Sequence, residues 1–249
     1  MSDESSARVP GVTDLLAPVD DGVLIGLRLH IADRSHPNIF FFHGNGEIAA
    51  NYDDLGPLYN RVGINFLAAD YRGYGCSTGT PTTTAMMRDC HAVYSHVTGW
   101  LDRHGFKGPL IVMGRSLGSA SAIELAHAHP NSVSGLIIES GFAYVAPLLR
   151  RLGVDPAAIG FREEEETTFR HIEKIGRWQK PLLVIHGEFD NIIPFSDGQA
   201  LFDACPSAGK QLLRIKGADH NNLFLHGFGE YLAAVARLAS ACSNLPGAD

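Results

Sequence analysis

A serine between two glycines stands near the middle of the chain, in the segment Gly114-Arg115-Ser116-Leu117-Gly118. This G-x-S-x-G pattern is typical of a nucleophilic serine when a buried strand precedes it and a helix follows. The apolar run Leu110–Met113 and the helix-sized segment after Gly118 meet that condition. An activated serine attacks acyl carbons and forms a covalent intermediate. The alternative is a glycine-rich helix start with a capping serine; the strand–turn–helix context favours the nucleophile.

An acid and a base follow the serine in the chain order that this kind of turn requires, which is Ser, then Asp, then His. Asp190 lies in the loop after an apolar run, and His220 lies in a loop before a helix-sized segment. A carboxylate can fix the tautomer of an imidazole, which then takes the proton of the serine. We therefore predict that Ser116, Asp190 and His220 are the catalytic residues. Asp219 is the alternative acid and His226 the reserve base.

The developing negative charge on an attacked carbonyl oxygen needs fixed hydrogen-bond donors. The run Ile39–Phe42 leads into a turn that contains glycines. Proteins with this kind of serine turn supply one backbone amide from such a place. We assign that donor to the amide of Asn45, and the second to the amide of Leu117, directly after the nucleophile. His43 is a further candidate base, but its place at the end of a strand favours a structural role.

Short apolar runs alternate with longer amphipathic segments along the whole chain, which predicts a parallel sheet with helical crossovers. Asp21-Gly22 is a hairpin signal between two strand-like segments. The predicted strands are Thr13–Val19, Val23–Ile31, Asn38–Phe42, Ile64–Ala69, Leu110–Met113, Leu136–Ile138, Leu182–Ile185 and Gln211–Ile215. The predicted helical segments are Glu47–Arg61, Thr83–Arg103, Leu117–His129, Ser196–Ala204 and Leu223–Ala241. The fold class is therefore α/β, with a mostly parallel, doubly wound eight-stranded sheet and helices on both faces.

We expect residues 1–249 to form a single domain, because α/β domains routinely reach this size. One connection, between Glu139 and Pro181, is much longer than an ordinary loop. We therefore predict a small cap or lid insertion, at about residues 142–178, over the carboxyl edge of the sheet. The acidic run Glu163–Glu166 in this insertion is expected to be a solvated helix face; attraction of cationic substrates is the alternative.

Composition excludes several function classes. Hydrophobic residues make up 45% of the chain and the formal net charge is -7, so a packed core is expected and a basic surface for nucleic acid is not. The start of the chain has no apolar signal core and no run reaches the length of a membrane span, which predicts a cytoplasmic protein without a stable membrane anchor. No dinucleotide, phosphate-loop or zinc-protease motif is present, so we expect no cofactor and no metal.

Six segments together resemble the α/β-hydrolase superfamily, in particular its serine-aminopeptidase-like branch of α/β-hydrolase-domain proteins. They are Phe40–Glu47, Asp70–Pro81, Gly114–Ala126, Leu136–Ala143, His186–Phe195 and Gly217–Leu223. The resemblance implies the same nucleophile, acid, base and oxyanion donors. It also implies that Asp70–Gly79 forms a structured loop beside the site, in which Arg72 braces the loop. The start of the chain departs from depalmitoylating relatives, which argues against a membrane-bound lipid substrate.

The expected function is hydrolysis of a carboxylic ester or thioester of a small-molecule acyl substrate through an acyl-enzyme. Peptide or amide cleavage uses the same groups and stays open. The alternative from another class is a non-catalytic binding protein on a hydrolase scaffold. The sequence does not indicate an oligomeric state.

Overall fold

A computed structural model describes residues 11–155, 158 and 169–245. Its centre is an eight-stranded sheet in the order β1-β2-β4-β3-β5-β6-β7-β8. The strands are β1 (Val12–Pro18), β2 (Leu24–His30), β3 (Asn38–Phe42), β4 (Asn65–Ala69), β5 (Leu110–Arg115), β6 (Val133–Glu139), β7 (Leu182–Gly187) and β8 (Lys210–Ile215). Each predicted strand has its counterpart here, with ends that differ by a few residues.

The sheet is antiparallel at one edge and parallel elsewhere. β1 and β2 form the predicted hairpin, with Val12 opposite His30, and β2 runs antiparallel to β4. All pairings from β4 through β3 to β8 are parallel. The carboxyl ends of these strands therefore share one edge of the sheet, which is where open α/β sheets bind their ligands.

The helices among the described residues follow the strands as crossovers. They are α1 (Gly56–Arg61), α2 (Thr83–Arg103), α3 (Gly118–Ala128), α4 (Val145–Arg151), α5 (His171–Ile175), α6 (Phe195–Ala204) and α7 (Leu223–Ser243). The prediction of one helix over Glu47–Arg61 was wrong. A short 3-10 turn, Ala49–Tyr52, precedes the much shorter α1. Pro57 in the first turn of α1 explains the break, because proline has no amide to donate to a preceding turn.

Both faces of the sheet are buried, and alternate residues of one strand serve the two faces. In β3, Phe40 and Phe42 belong to the hydrophobic cluster under α2, α3, α5 and α6. Ile39 and Phe41 belong to the cluster under α1 and α7. This is why the strand is a continuous apolar run instead of an alternating one. The predicted doubly wound α/β class is confirmed.

Two described elements, α4 and α5, lie in the connection that was predicted to form a lid. His171, at the start of α5, is buried, and its Nδ1 lies 2.8 Å from the carbonyl oxygen of Phe142. This contact holds the two ends of the connection together beside the sheet. The acidic run Glu163–Glu166 lies outside the described residues, and the lid stays a prediction.

Candidate active site

Ser116 occupies a sharp turn between β5 and α3. Its φ is 50°, which is in the left-handed region that only glycine adopts without strain. A Cβ atom on Gly114 would lie 2.2 Å from the carbonyl oxygen of Gly118, and one on Gly118 would lie 2.1 Å from that of Phe42. Neither position can carry a side chain. The amide of Ser116 donates to the carbonyl oxygen of Glu139 at 2.8 Å, which fixes the turn at the carboxyl edge of the sheet.

The imidazole of His220 lies between the serine and an aspartate. Its Nε2 is 3.1 Å from Oγ of Ser116, and its Nδ1 is 2.7 Å from Oδ2 of Asp190. The other carboxylate oxygen of Asp190 accepts hydrogen bonds from the amides of Ile192 and Ile193 at 3.0 and 2.8 Å. These amides orient the carboxylate. The structure thus brings the three predicted side chains, which are far apart in the sequence, into one hydrogen-bonded line.

The electrostatics of this line favour an ionised carboxylate. Burial of Asp190 opposes ionisation, but the hydrogen bond and charge of His220, together with the Ile193 amide, lower the pKa of Asp190 below its usual value. An ionised carboxylate next to Nδ1 keeps the proton on that nitrogen, so that Nε2 is free to accept one. The arrangement can deprotonate the serine hydroxyl.

The alternative acid and base have other contacts. The Asp219 carboxylate accepts from the amide of Asn221 at 2.8 Å and from the side chain of Asn222 at 2.9 Å, within its own loop. His226 lies one turn into α7, beside Gly217, where a Cβ atom would approach its Nδ1 to 3.2 Å. The geometry therefore favours Asp190 and His220 for these roles.

His43 is fully buried behind the turn that follows β3. Its Nδ1 lies 2.8 Å from the carbonyl oxygen of Gly44, and its Nε2 lies 3.3 Å from Oδ1 of Asp70. The ring also contacts Tyr71, whose hydroxyl donates to the His43 carbonyl oxygen at 2.7 Å. These contacts match a structural role for His43.

The candidate oxyanion donors lie in two turns, Asn45 after β3 and Leu117 directly after Ser116. Within the described part of the chain, the amides of Asn45 and Leu117 have no hydrogen-bond acceptor. The side chain of Asn45 is held by the Tyr74 hydroxyl, which donates to Oδ1 at 2.8 Å. The preceding amide, that of Gly44, donates to the Glu47 carboxylate at 2.6 Å. Each of the two turns therefore presents one amide that is available to a ligand.

Arg115, directly before the serine, was missed as a functional candidate. Its Nη2 donates to the carbonyl oxygen of His220 and to Oδ1 of Asn221, both at 3.1 Å. Its Nε lies 3.2 Å from Oε1 of Glu47 and 3.5 Å from Oε1 of Glu139. One guanidinium thus connects the serine turn, the loop of the candidate base and, through Glu47, the turn that contains Asn45.

The charges in this network are buried. Burial raises the pKa of Glu139, while the Tyr231 hydroxyl donates to its carboxylate. Burial disfavours the charge of Arg115, but Glu139 and Glu47 outweigh it and raise the pKa of the guanidinium. A signal was present in the sequence, because a charged residue that ends an apolar strand must find a partner in the interior. Both Arg115 and Glu139 end such strands.

Two cavities open beside these groups. One of about 320 Å³ lies between α1 and α7 and is lined by His220, Leu58 and Phe224, among others. The other, of about 280 Å³, lies beside the start of α2 and is lined by Leu117 and Tyr74, among others. The candidate base therefore borders one cavity, and a candidate oxyanion donor borders the other.

The loop after β4 is braced by a buried ion pair. The Arg72 guanidinium donates to Asp89 at 2.8 Å and also contacts Asp20. This matches the bracing role that the resemblance implied. Among the described residues, no group of three or more His, Cys, Asp or Glu side chains is arranged to hold a metal ion. No helix in that part of the chain has the length and apolarity needed to cross a membrane.

Comparisons with known proteins agree with this architecture. The family described as serine aminopeptidase, S33, matches residues 33–160. The human alpha/beta hydrolase domain-containing protein 17B is 30% identical over 83% of this chain and 69% of its own length. The chain spans 60% of the length of the human 17C relative.

Solved structures with the same fold include hydrolases. The esterase Pf2001 of Pyrococcus furiosus has a TM-score of 0.73 and 18% identity, over 92% of this chain and 91% of that one. A monoglyceride lipase of Saccharomyces cerevisiae has a TM-score of 0.72 and 18% identity, over 96% and 97%. At such identities the likeness shows the fold. The chain belongs to the α/β-hydrolase family, in the group of the α/β-hydrolase domain-containing proteins.

Proposed function

We propose that this chain is a serine hydrolase that cleaves carboxylic esters or thioesters through an acyl-enzyme intermediate. Ser116 is the nucleophile, His220 the general base and Asp190 the residue that orients the imidazole. One observation carries the proposal: the two ring nitrogens of His220 lie 3.1 Å from the Ser116 hydroxyl oxygen and 2.7 Å from the Asp190 carboxylate. This is the arrangement that activates serine on several unrelated folds.

In the first half of the reaction, the Ser116 oxygen attacks the acyl carbon and its proton passes to Nε2 of His220. The carbonyl oxygen becomes an oxyanion, and the amides of Asn45 and Leu117 are proposed to hold it. When the tetrahedral intermediate collapses, the imidazolium gives its proton to the leaving alcohol or thiol. In the second half, His220 removes a proton from water as the water oxygen attacks the acyl carbon. The bond to the serine oxygen then breaks, the imidazolium returns its proton to that oxygen, and the acid is released.

The choice of an ester bond draws on the names of two structural neighbours. Structures of the same fold include an esterase and a monoglyceride lipase, and both names denote ester hydrolysis. The human relatives at 30% identity are named for their domain alone. The small-molecule acyl substrate and the cytoplasmic location stay predictions from the sequence.

Hydrolysis of p-nitrophenyl acetate by purified protein tests the proposal. Ser116→Ala should abolish turnover, while Ser95→Ala, which changes an exposed serine on α2, should leave it unchanged. Circular dichroism controls for folding of both variants. Equal turnover by the two variants would exclude Ser116 as the nucleophile.

The two alternatives predict different results. A peptidase would turn over aminoacyl p-nitroanilides as well as the matching esters, whereas we expect turnover of the esters and none of the anilides. A non-catalytic binding protein would show no turnover of either substrate and no reaction with a fluorophosphonate.

A further inference from the structure

The two cavities have no described lining residue in common, and each borders a different part of the proposed reaction centre. Four substituents surround the acyl carbon in the tetrahedral intermediate: the oxyanion, the serine oxygen, the leaving group and the acyl chain. The leaving group must face Nε2 of His220, because it receives its proton there. His220 borders the larger cavity between α1 and α7. The acyl chain therefore points away from His220.

The smaller cavity borders one of the proposed oxyanion donors, and His220 is not among the described residues that line it. Leu117, whose amide is the proposed oxyanion donor, forms part of its wall. Tyr74 forms another part, and its hydroxyl donates to the side chain of Asn45, whose backbone amide is the other proposed donor. A carbonyl oxygen held by these two amides would thus place its acyl carbon at the entrance to this cavity.

The chemistry of the wall is that of a site for an uncharged group. Tyr71, Tyr74, Met86 and Leu117 supply mainly apolar surface. Arg72 is the one charged residue among the described lining residues, and its guanidinium is already paired with Asp89 and Asp20. A carboxylate on the ligand would find no free cation there, so that its desolvation would not be compensated.

The size of the cavity limits how many carbons of an acyl chain it can enclose. Its volume of about 280 Å³ is slightly below the usual range for sites that enclose drug-sized ligands. At about 30 Å³ for a water-sized group, it holds roughly nine such groups, or an acyl chain of up to about eight carbons.

From these four observations, and resting on the ester-hydrolase function proposed above, we propose that the cavity between Leu117, Tyr74 and the first turn of α2 binds the acyl group of the substrate. The ligand class is an uncharged acyl chain of short to medium length. Longer chains extend beyond the cavity, and chains that end in a carboxylate are rejected.

A series of p-nitrophenyl esters from acetate to dodecanoate tests this proposal in matched variants. Thr83 lines the cavity, whereas Thr84, on the same turn of α2, is also exposed and is not among the described residues that line it. Thr83→Trp should lower kcat/KM for hexanoate about tenfold and for acetate less than twofold. Thr84→Trp should leave the whole series within twofold of the wild type. Met86→Ala, which enlarges the cavity, should raise the ratio of dodecanoate to hexanoate about threefold.

The wild type provides two further readouts. Its kcat/KM should fall at least tenfold from octanoate to dodecanoate, and the adipate monoester should react at least tenfold more slowly than the hexanoate ester. Matching profiles for Thr83→Trp and Thr84→Trp would overturn the assignment of the cavity. Acetate turnover and fluorophosphonate labelling of Ser116 report on the hydrolase function separately. If both persist while the tryptophan has no selective effect, only the cavity assignment fails; if both are absent, the hydrolase function fails with it.

Discussion

Replacing Arg115 by methionine should damage both the stability and the proposed reaction, because this guanidinium is buried and has four polar partners. Arg115→Met removes the hydrogen bonds to the His220 carbonyl and to Asn221, and leaves Glu47 and Glu139 without their cation. Breaking a buried ion pair from one side typically costs about 3–5 kcal/mol. We expect a value near the lower end, about 3 kcal/mol, because burial already raises the pKa of Glu139 and lets it take up a proton.

Urea unfolding, followed by circular dichroism, measures this loss as a change in midpoint at constant m-value. A surface pair provides the control. Arg214 lies 2.9 Å from Glu188, and its side chain is 50% exposed, so Arg214→Met should change the free energy of unfolding by less than about 1 kcal/mol. Similar losses for the two variants would refute the account of a buried network.

The same substitution separates positioning from general stability when activity is measured well below the unfolding transition. Since Arg115 holds the His220 loop, Arg115→Met should lower kcat more than tenfold and change KM little. Arg115→Lys keeps the charge but loses the planar, multidentate geometry, so that we expect partial recovery. Unchanged kcat in folded Arg115→Met would show that the loop needs no such support.

Three other predictions concern the packing of the serine turn, a buried histidine and the proposed orienting acid. Gly118→Ala should lower the free energy of unfolding, measured in urea, by about 2 kcal/mol or more, because the new Cβ would lie 2.1 Å from a backbone oxygen. Gly229→Ala, in open space within α7, should raise it by about 0.5–1 kcal/mol. The opposite order of the two variants would contradict the packing described. Burial lowers the pKa of His171 from 6.5 to about 4, so that this imidazole stays neutral in the folded state while it takes up a proton in the unfolded state. The free energy of unfolding should therefore fall by about 3 kcal/mol between pH 6.5 and 4. This loss should be smaller in His171→Gln, which has no imidazole to protonate. If the free energies of unfolding of the wild type and His171→Gln differed by the same amount at every pH, the buried neutral imidazole would not be the cause. Asp190→Asn should lower kcat about 10³- to 10⁴-fold in ester turnover with the fold retained, and a loss below tenfold would exclude its role as the orienting acid.

Much of the fold could be predicted because its signals are local. A strand that is buried on both faces is a continuous apolar run, as in Asn38–Phe42, and the structure has β3 with the same limits. The helix over Thr83–Arg103 also matches, because Thr82 caps its first turn through the amide of Ala85. The order of Ser116, Asp190 and His220 follows from the turn motif, so the amino-acid sequence was enough to expect that these side chains meet.

What could not be predicted depends on contacts between distant parts of the chain. The segment Glu47–Arg61 has the length of one helix, but tertiary packing around Pro57 leaves a 3-10 turn and a short α1. The partners of Arg115 come from three other elements, and no spacing in the sequence indicates which carboxylates it meets. The volumes of the two cavities likewise result from side-chain packing across loops, which a linear pattern does not record.

The most direct test of the central claim is the site at which a fluorophosphonate reacts. Intact mass spectrometry followed by peptide mapping should find one adduct, on the peptide that contains Ser116, and labelling should slow at least a hundredfold in His220→Ala, in which no imidazole is left to take the proton. An adduct at a different serine, or a rate that is unchanged in His220→Ala, would contradict the claim that residues 116, 190 and 220 act together.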